Sequence, residues 1–268
     1  IMRFMWGWSW VFACTLCCGA CSDDGSNDAS LGNAAGEPAR TAGTGASEAS
    51  GSNAGAGAAA SGTPDQVDVA ALEATGLNKY LGMAKPAEME VVGSETHYAF
   101  NEDDGPVCLR GQRFSMATRE RDSEDLVIYL QGGGSCTTAL CRATETASPM
   151  IPTYGVLNAD DAENPVAGWN VVYSPYCDGS LHFGDSDIPD QNRRHHGLRN
   201  VSASLDVAVS KFPNPHRILL TGASAGGYGT IWMTDLVRLV YPNAKLFVFN
   251  DAGIALANPD KPDGFRSV

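Results

Sequence analysis

The chain has 268 residues, enough for one large α/β domain with additional segments, and its 43% share of hydrophobic residues is ordinary for a globular protein. Its formal net charge is -13 at pH 7. An acidic protein repels phosphate backbones, so the charge argues against nucleic-acid binding, and no run of Lys and Arg follows the apolar N-terminal segment to form a basic membrane patch.

Residues 1–21 have the pattern of an export signal. Arg3 provides one positive charge, and the apolar run that follows ends near Leu16, short of the about 20 apolar residues that a bilayer requires. The stretch from Cys18 to Cys21 resembles a bacterial lipobox, although Leu is expected where Cys18 stands. We therefore expect lipidation at Cys21 and an exported lipoprotein, anchored to a bacterial outer membrane or held at the cell surface or in the periplasm. Secretion with loss of the segment, and its burial as a helix of the fold, are the alternatives.

Residues 22–65 consist mainly of Gly, Ala, Ser, Asn and Thr, with almost no large apolar side chain. Such a segment cannot bury enough surface to offset the conformational entropy that ordering removes. It is predicted to be a disordered tether, which leaves residues 66–268 for the folded domain.

The first elements of the predicted domain are weakly patterned. Residues 67–74 have helical character, but the alternation of apolar and polar residues after them is poor, so the bounds of the next strands are only loosely fixed. These strands are predicted at residues 89–92, 97–100 and 113–117.

From residue 125 onward, strands and helices alternate regularly. Strands are predicted at residues 126–130, 170–174, 217–221 and 245–250, and helices at residues 198–212 and 225–240. The continuous apolar run of the first of these strands is typical of a sheet that is covered on both faces. The alternation predicts an α/β fold with a doubly wound, mostly parallel sheet.

A candidate nucleophile, Ser224, lies between the third of these strands and the helix after it. It is the centre of a G-x-S-x-G sequence bounded by Gly222 and Gly226. In a sharp turn from strand to helix, the residues two positions away must lack bulk, and the helix N-terminus faces the oxyanion that develops on attack. A glycine-rich turn that binds phosphate or simply reverses the chain is the alternative, although no nucleotide-binding glycine pattern is present.

A second glycine cluster, Gly132 to Gly134, follows the strand at 126–130. Lipases and esterases place a glycine-rich loop at this point, where a backbone N–H contributes to the oxyanion hole, and the N–H of the residue after the nucleophile, here Ala225, provides the other donor. A plain flexible loop is the alternative.

Four stretches together resemble the pectin acetylesterase/Notum family of carbohydrate and lipid-ester hydrolases, in order and spacing, from about residue 95 to the end. They are Tyr129-Leu-Gln-Gly-Gly-Gly-Ser-Cys136, Tyr173-Ser-Pro-Tyr-Cys-Asp-Gly179 with Phe183-Gly184 after it, His196-Gly-Leu-Arg-Asn200, and Gly222-Ala-Ser-Ala-Gly-Gly-Tyr-Gly229. The resemblance implies an α/β-hydrolase fold and a serine esterase. One departure is Ser135, which stands where the family usually has Trp.

The resemblance also implies roles for individual residues. Ser224 is the implied nucleophile, and the implied oxyanion donors are the N–H groups of Gly133, Gly134 and Ala225. We further expect three side chains to shape the mouth of the site and contact the substrate: Tyr176, Asp178 and Tyr228. This chemistry needs no metal and no organic cofactor.

The general base is the missing part of the expected site. In this fold the acid and the histidine follow the serine in chain order, yet all five histidines precede Ser224. His216 stands at the wrong end of a strand, and His195 and His196 are expected to cap a helix or bind substrate. Asp251 is interpreted as structural. We therefore expect a C-terminally truncated hydrolase domain, whose catalytic acid and histidine are encoded further downstream.

Four cysteines fall in the predicted domain, and an even number in an exported protein suggests disulfides. Cys136 and Cys141 flank the oxyanion loop and form the favoured pair, with Cys108 and Cys177 as the other. A zinc site is the rival interpretation, although these four cysteines lack paired C-x-x-C spacing.

We therefore expect a serine carboxylic-ester hydrolase that removes acetyl groups from a polysaccharide, so its partner is an acylated carbohydrate or another ester. A non-catalytic surface lipoprotein that binds carbohydrate or lipid is the first alternative. A serine peptidase or lipase on the same fold is the second.

Overall fold

The computed structural model describes residues 68–137 and 139–253 of the chain. The predicted export signal, its lipidation site Cys21 and the predicted tether at 22–65 lie outside these residues.

The N-terminal part of the described chain contains one short helix and three antiparallel strands. Asp68 caps the helix, because its side chain accepts a hydrogen bond of 3.0 Å from the Ala71 N–H. The elements are α1 (Val69–Ala74), β1 (Pro86–Val92), β2 (Glu95–Phe100) and β3 (Ser115–Arg119). The weakly patterned helix and strands are therefore present, with bounds that differ from the predicted ones by a few residues.

The rest of the described chain alternates strands with two long helices. Its elements are β4 (Asp125–Leu130), β5 (Gly134–Cys136), β6 (Cys141–Ala143), β7 (Asn170–Ser174), β8 (Ser186–Ile188), β9 (Arg193–His195), α2 (Gly197–Lys211), β10 (Arg217–Ala223), α3 (Ala225–Val240) and β11 (Lys245–Asp251). The four predicted strands and both predicted helices of this region are all present. The pairs β5–β6 and β8–β9 are small hairpins that were not predicted.

Seven strands form one mixed sheet in the order β1-β2-β3-β7-β4-β10-β11. The strands β7, β4, β10 and β11 are parallel, whereas β1, β2 and β3 are joined to one another and to β7 by antiparallel pairing. The α/β fold class is thereby confirmed, and the parallel part of the sheet consists of the four strands whose pattern was clear in the sequence.

The sheet is apolar on both faces, which explains the continuous apolar run of β4. Leu126, Ile128 and Leu130 belong to one core cluster, to which α2 and α3 contribute their buried side chains. Val127 points to the other face, where it packs in a second cluster with Ile151 and other side chains of the loop region between β6 and β7. The two long helices thus cover one face of the sheet, and this loop region covers the other.

The register of β4 and β10 creates the candidate site. Leu130 at the end of β4 is paired with Gly222 near the end of β10. Because parallel strands end at the same edge of a sheet, the glycine cluster after β4 and the serine turn after β10 are neighbours.

Among the strands of residues 68–137 and 139–253, β11 is the last at one side of the sheet, beside β10. Three consecutive apolar residues of β11 are substantially exposed, namely Phe247 (43%), Val248 (46%) and Phe249 (61%). Every helix within residues 68–137 and 139–253 is too short or too polar to cross a bilayer.

Candidate active site

Ser224 occupies a strained turn between β10 and α3. Its φ of 54° and ψ of -117° are unusual for a residue other than glycine and cost about 1–3 kcal/mol. The turn is closed by the Ser224 N–H, which donates to the Asp251 carbonyl at 2.8 Å. The side chain of Ser224 is solvent-exposed, so its hydroxyl is open to a ligand at the carboxyl edge of the sheet.

The glycines on either side of Ser224 are required by close packing against β4. A Cβ atom at Gly226 or at Gly222 would collide with the carbonyl oxygen of Leu130. The spacing that pointed to a nucleophile in the sequence therefore has a steric cause here, because the turn lies directly on the end of β4.

Gly132 brings the other glycine cluster into contact with this turn. A Cβ atom at Gly132 would lie 3.2 Å from the Cβ of Ser224 and would collide with the Ala223 carbonyl oxygen. The glycine loop thus approaches the serine turn backbone to backbone. This contact was not predicted, although a glycine in the second position after β4 is the signal that could have indicated it.

The peptide that joins Gly133 to Gly134 is held in a defined orientation. The Gly133 carbonyl accepts a hydrogen bond of 2.8 Å from the Thr144 N–H. Because this peptide is trans, the Gly134 N–H points away from Thr144. A Cβ at Gly133 would lie 2.6 Å from the Tyr176 ring, so only glycine fits between its neighbours.

Ala225 is the first residue of α3, directly after Ser224. The N–H groups in the first turn of a helix have no acceptor within the helix, and they carry the positive end of its dipole. The three N–H groups expected to bind an oxyanion, those of Gly133, Gly134 and Ala225, all belong to the two turns that meet at Ser224.

Two disulfides stabilise the surroundings of the glycine loop. The structure joins Cys136 to Cys141 across the β5–β6 hairpin and Cys108 to Cys177 within the core, which are the pairs favoured in the sequence. The Cys136 N–H also donates to the Gly179 carbonyl at 2.8 Å, which ties the hairpin to the loop after β7. The described residues contain no group of three or more His, Cys, Asp or Glu side chains placed to hold a metal ion.

Tyr176 and Asp178, which we expect to shape the mouth of the site and contact substrate, are both buried, and that contact stays a prediction. Tyr176 is fully buried, and its hydroxyl accepts a hydrogen bond of 2.9 Å from the Leu181 N–H, while burial raises the pKa of the phenol. The Asp178 carboxylate is also buried and accepts hydrogen bonds from the N–H and the hydroxyl of Ser180. Both side chains therefore bond within the loop that follows β7, and the Tyr176 ring also packs against Gly133.

Tyr228 is half-buried and lies one helical turn after Ser224, whose carbonyl accepts a hydrogen bond of 3.1 Å from the Tyr228 N–H. Its predicted contact with substrate stays a prediction.

The histidines are engaged elsewhere. The His195 ring bonds to the Asp178 carbonyl at 2.8 Å, and the His196 ring lies 2.6 Å from the Gly105 carbonyl oxygen. His196 precedes α2 but makes no side-chain cap bond, which corrects the expectation of capping, because its ring turns toward other partners. Residues 68–137 and 139–253 include all five histidines, and none of them bonds to Ser224 there.

Comparison with known proteins connects this geometry to a family. A family model described as Pectinacetylesterase matches residues 89–265, more than half of the chain. Pectin acetylesterase 4 of Arabidopsis thaliana is 29% identical over 167 residues, which cover 54% of this chain and 41% of that protein. Pectin acetylesterase 11 of the same plant is 28% identical over 177 residues, with 60% and 45% covered.

Palmitoleoyl-protein carboxylesterase notum1a of Danio rerio is 26% identical over 194 residues, which cover 65% of this chain and 39% of that protein. The chain therefore spans less than half the length of each of these relatives. The match to the family model agrees with the resemblance carried by the four sequence stretches. On this match, the chain belongs to the pectinacetylesterase family.

Proposed function

We propose that this chain is the nucleophile-bearing part of a serine carboxylic-ester hydrolase that removes acetyl or another short acyl group from a polysaccharide. One observation carries the proposal: Ser224 is exposed in a strained turn from strand to helix, with the glycine loop packed against it. Strained backbone at an exposed polar side chain is typical of functional sites.

In the proposed reaction, the Ser224 hydroxyl attacks the carbonyl carbon of the ester and passes its proton to a general base. The carbonyl oxygen becomes an oxyanion, which accepts hydrogen bonds from the N–H groups of Gly133, Gly134 and Ala225. Collapse of this intermediate breaks the bond to the sugar oxygen, which takes the proton back from the base and leaves as a hydroxyl group. Water then attacks the acyl group on Ser224 and releases it as the carboxylic acid, which restores the serine hydroxyl. Each oxyanion donor contributes about 2.7–4 kcal/mol of barrier stabilisation in enzymes of this type.

We propose that the general base is a histidine encoded C-terminal to residue 268, together with its acidic partner. Two facts support this. The last histidine in the sequence is His216, whose side chain is exposed at the end of β10 opposite Ser224. The relatives are also longer than the region they share with this chain.

The polysaccharide substrate is proposed from the relatives. The two plant relatives are named pectin acetylesterases, and the animal relatives are named palmitoleoyl-protein carboxylesterases, so every one of these names describes an ester hydrolase. An acetylated polysaccharide is favoured because the family model that matches the chain is described as Pectinacetylesterase.

The test uses the complete gene product rather than residues 1–268 alone. We expect it to release acetate from acetylated pectin, to hydrolyse p-nitrophenyl acetate and to be labelled at Ser224 by a fluorophosphonate probe. The Ser224→Ala variant is the control and should lose all three properties. If the wild-type protein shows no turnover and no labelling, the non-catalytic binding lipoprotein is favoured instead.

We also propose that the protein is exported and attached to a membrane through a lipid on Cys21. The two disulfides of the described domain support an oxidising compartment. Replacing Cys21 with Ala should move the protein from the membrane fraction to the soluble fraction, and a variant that stays membrane-bound would contradict the lipid anchor.

A further inference from the structure

His182 is a buried histidine that the proposed reaction does not use. It lies in the loop between β7 and β8, and only 1% of its surface is exposed. Both His182 and the preceding Leu181 have left-handed backbone, with φ values of 66° and 60°. Two consecutive non-glycine residues in this region are rare and persist only where surrounding contacts hold them.

The imidazole is held by one defined hydrogen bond. Its Nε2 atom lies 2.8 Å from the carbonyl oxygen of Gln131. A carbonyl oxygen only accepts, so Nε2 carries the hydrogen and donates it. Burial lowers the pKa of His182, so the ring is neutral with its proton on Nε2.

Gln131 is the residue through which the chain leaves β4 and enters the glycine loop. Its N–H donates to the Ser174 carbonyl at 3.0 Å, and its side-chain oxygen accepts from the Tyr176 N–H at 3.0 Å. The bond from His182 fixes the remaining backbone group, the carbonyl. Because the next peptide is trans, fixing this carbonyl also fixes the direction of the Gly132 N–H.

The same ring also contacts the helix that follows the nucleophile. A Cβ atom at Gly229 in α3 would lie 3.0 Å from Cδ2 of His182. On another side, the ring packs against Tyr176, with ring centroids 4.9 Å apart. His182 therefore lies between the start of the glycine loop and the helix that begins at Ser224.

We infer that His182 is a positioning residue, whose Nε2–H bond to Gln131 and packing on α3 set the distance between the oxyanion N–H groups and Ser224. This inference deepens the proposed function and rests on it. A shift of about 1 Å in such a constellation can cost on the order of 100-fold in rate, so the loss of this bond should reduce turnover.

The test compares two substitutions that differ in one property. His182→Phe keeps a planar ring but has no donor, and it leaves the Gln131 carbonyl without its partner. His182→Gln keeps a donor that can reach the same oxygen. Neither new residue is branched at Cβ, so the left-handed backbone penalises both similarly. The matched control is His216→Phe, because His216 is exposed at the opposite end of β10.

The assay is p-nitrophenyl acetate hydrolysis by the complete gene product, normalised to Ser224 titrated with a fluorophosphonate. We expect His182→Phe to lower kcat by about 10- to 100-fold with little change in KM, because the oxyanion donors act in the transition state. His182→Gln should recover most of that loss, and His216→Phe should match the wild type. Equal kcat values for the Phe variant and the wild type, or equal losses in the Phe and Gln variants, would overturn the inference.

Hydrogen exchange separates this inference from the proposed function. Amide exchange in the peptide that covers residues 131–136 should accelerate in His182→Phe but not in His182→Gln, whether or not the protein is an esterase. A wild-type protein without turnover or labelling would defeat the proposed function alone. Unchanged exchange in His182→Phe would overturn the positioning role alone.

Discussion

The two ends of strand β10 are built in opposite ways. At its amino end, the Arg217 guanidinium bonds to the Asp125 carboxylate with an Nε–Oδ1 distance of 3.0 Å, and the Lys245 N–H donates to the His216 carbonyl at 3.0 Å. At its carboxyl end, the backbone turns through the strained Ser224 and leaves first-turn N–H groups of α3 available. Hydrogen bonds therefore satisfy the polar groups at the amino end, whereas the carboxyl end has an exposed serine hydroxyl.

The difference shows how the molecule can hold strain at the proposed site. An unusual backbone conformation survives only where its neighbours over-determine it. Here the register of β4 against β10 places the Leu130 carbonyl directly against the glycines beside Ser224. The close packing of Leu130 against these glycines, at the carboxyl end itself, is therefore what holds the strained turn.

The largest expected effect comes from the hydroxyl itself. Ser224→Ala should lower kcat/KM of the complete gene product by about 10⁴-fold or more, because it removes the proposed nucleophile. Ser224→Gly should do the same, yet raise the free energy of unfolding by about 1 kcal/mol, because glycine tolerates a φ of 54°. Urea denaturation measures the second effect, and a less stable Gly variant would contradict the claim of strain.

A smaller loss should follow from separating the two glycine turns. Gly132→Ala introduces a methyl group that collides with the Ala223 carbonyl, so the loop must move and kcat should fall by about 100-fold. Gly168→Ala is the control, since a Cβ there meets nothing within 4 Å. If the two variants turned over substrate equally well, the close approach at Gly132 would have no role in catalysis.

Loss of one disulfide should affect mainly turnover, and loss of the other should affect mainly stability. Replacing both Cys136 and Cys141 with Ser should lower kcat by about 10-fold, because the hairpin next to the glycine loop loosens. Replacing Cys108 and Cys177, which are 69 residues apart, should instead cost about 4 kcal/mol of unfolding free energy with less effect on kcat of the folded fraction. Thermal denaturation beside a kcat assay of each pair measures both quantities, and the reverse pattern would refute the assignment.

The smallest effect is expected at the amino end of β10. There, the hydrogen bond from Arg217 lowers the pKa of Asp125 below its ordinary value. The pair therefore contributes stability above that ordinary pKa and loses it as the pH falls through the lowered one. Arg217→Gln should therefore reduce Tm slightly at pH 7, and the difference from wild type should vanish in strong acid. Esterase activity should not change, since the pair is remote from Ser224.

The sequence predicted the parallel region well and the details of the site less well. The strands from β4 onward are long apolar runs separated by amphipathic helices, so local pattern and tertiary burial agree. The serine turn was predictable because only glycine fits against the Leu130 carbonyl at positions 222 and 226, and this requirement appears in the sequence as a motif. The short hairpins β5–β6 and β8–β9 have too few residues to show a period.

Burial of polar side chains was the property that the sequence could not reveal. Tyr176 and Asp178 belong to a distinctive stretch and were expected to contact substrate, but both are buried, and they bond to Leu181 and Ser180, which lie only a few residues further along the same loop. His182 gave no signal either, because a single histidine has the same appearance in a sequence whether it is exposed or holds a backbone carbonyl.

The exposed apolar segment of β11 has a practical consequence for anyone who produces this domain. A strand at the edge of a sheet has unpaired N–H and C=O groups that can pair with another chain. The exposed side chains of Phe247, Val248 and Phe249 make this edge apolar as well. A recombinant fragment of residues 68–253 should therefore self-associate and precipitate as its concentration rises, and light scattering would reveal the onset. The Phe249→Lys variant places a charge on this surface and should keep the fragment in solution.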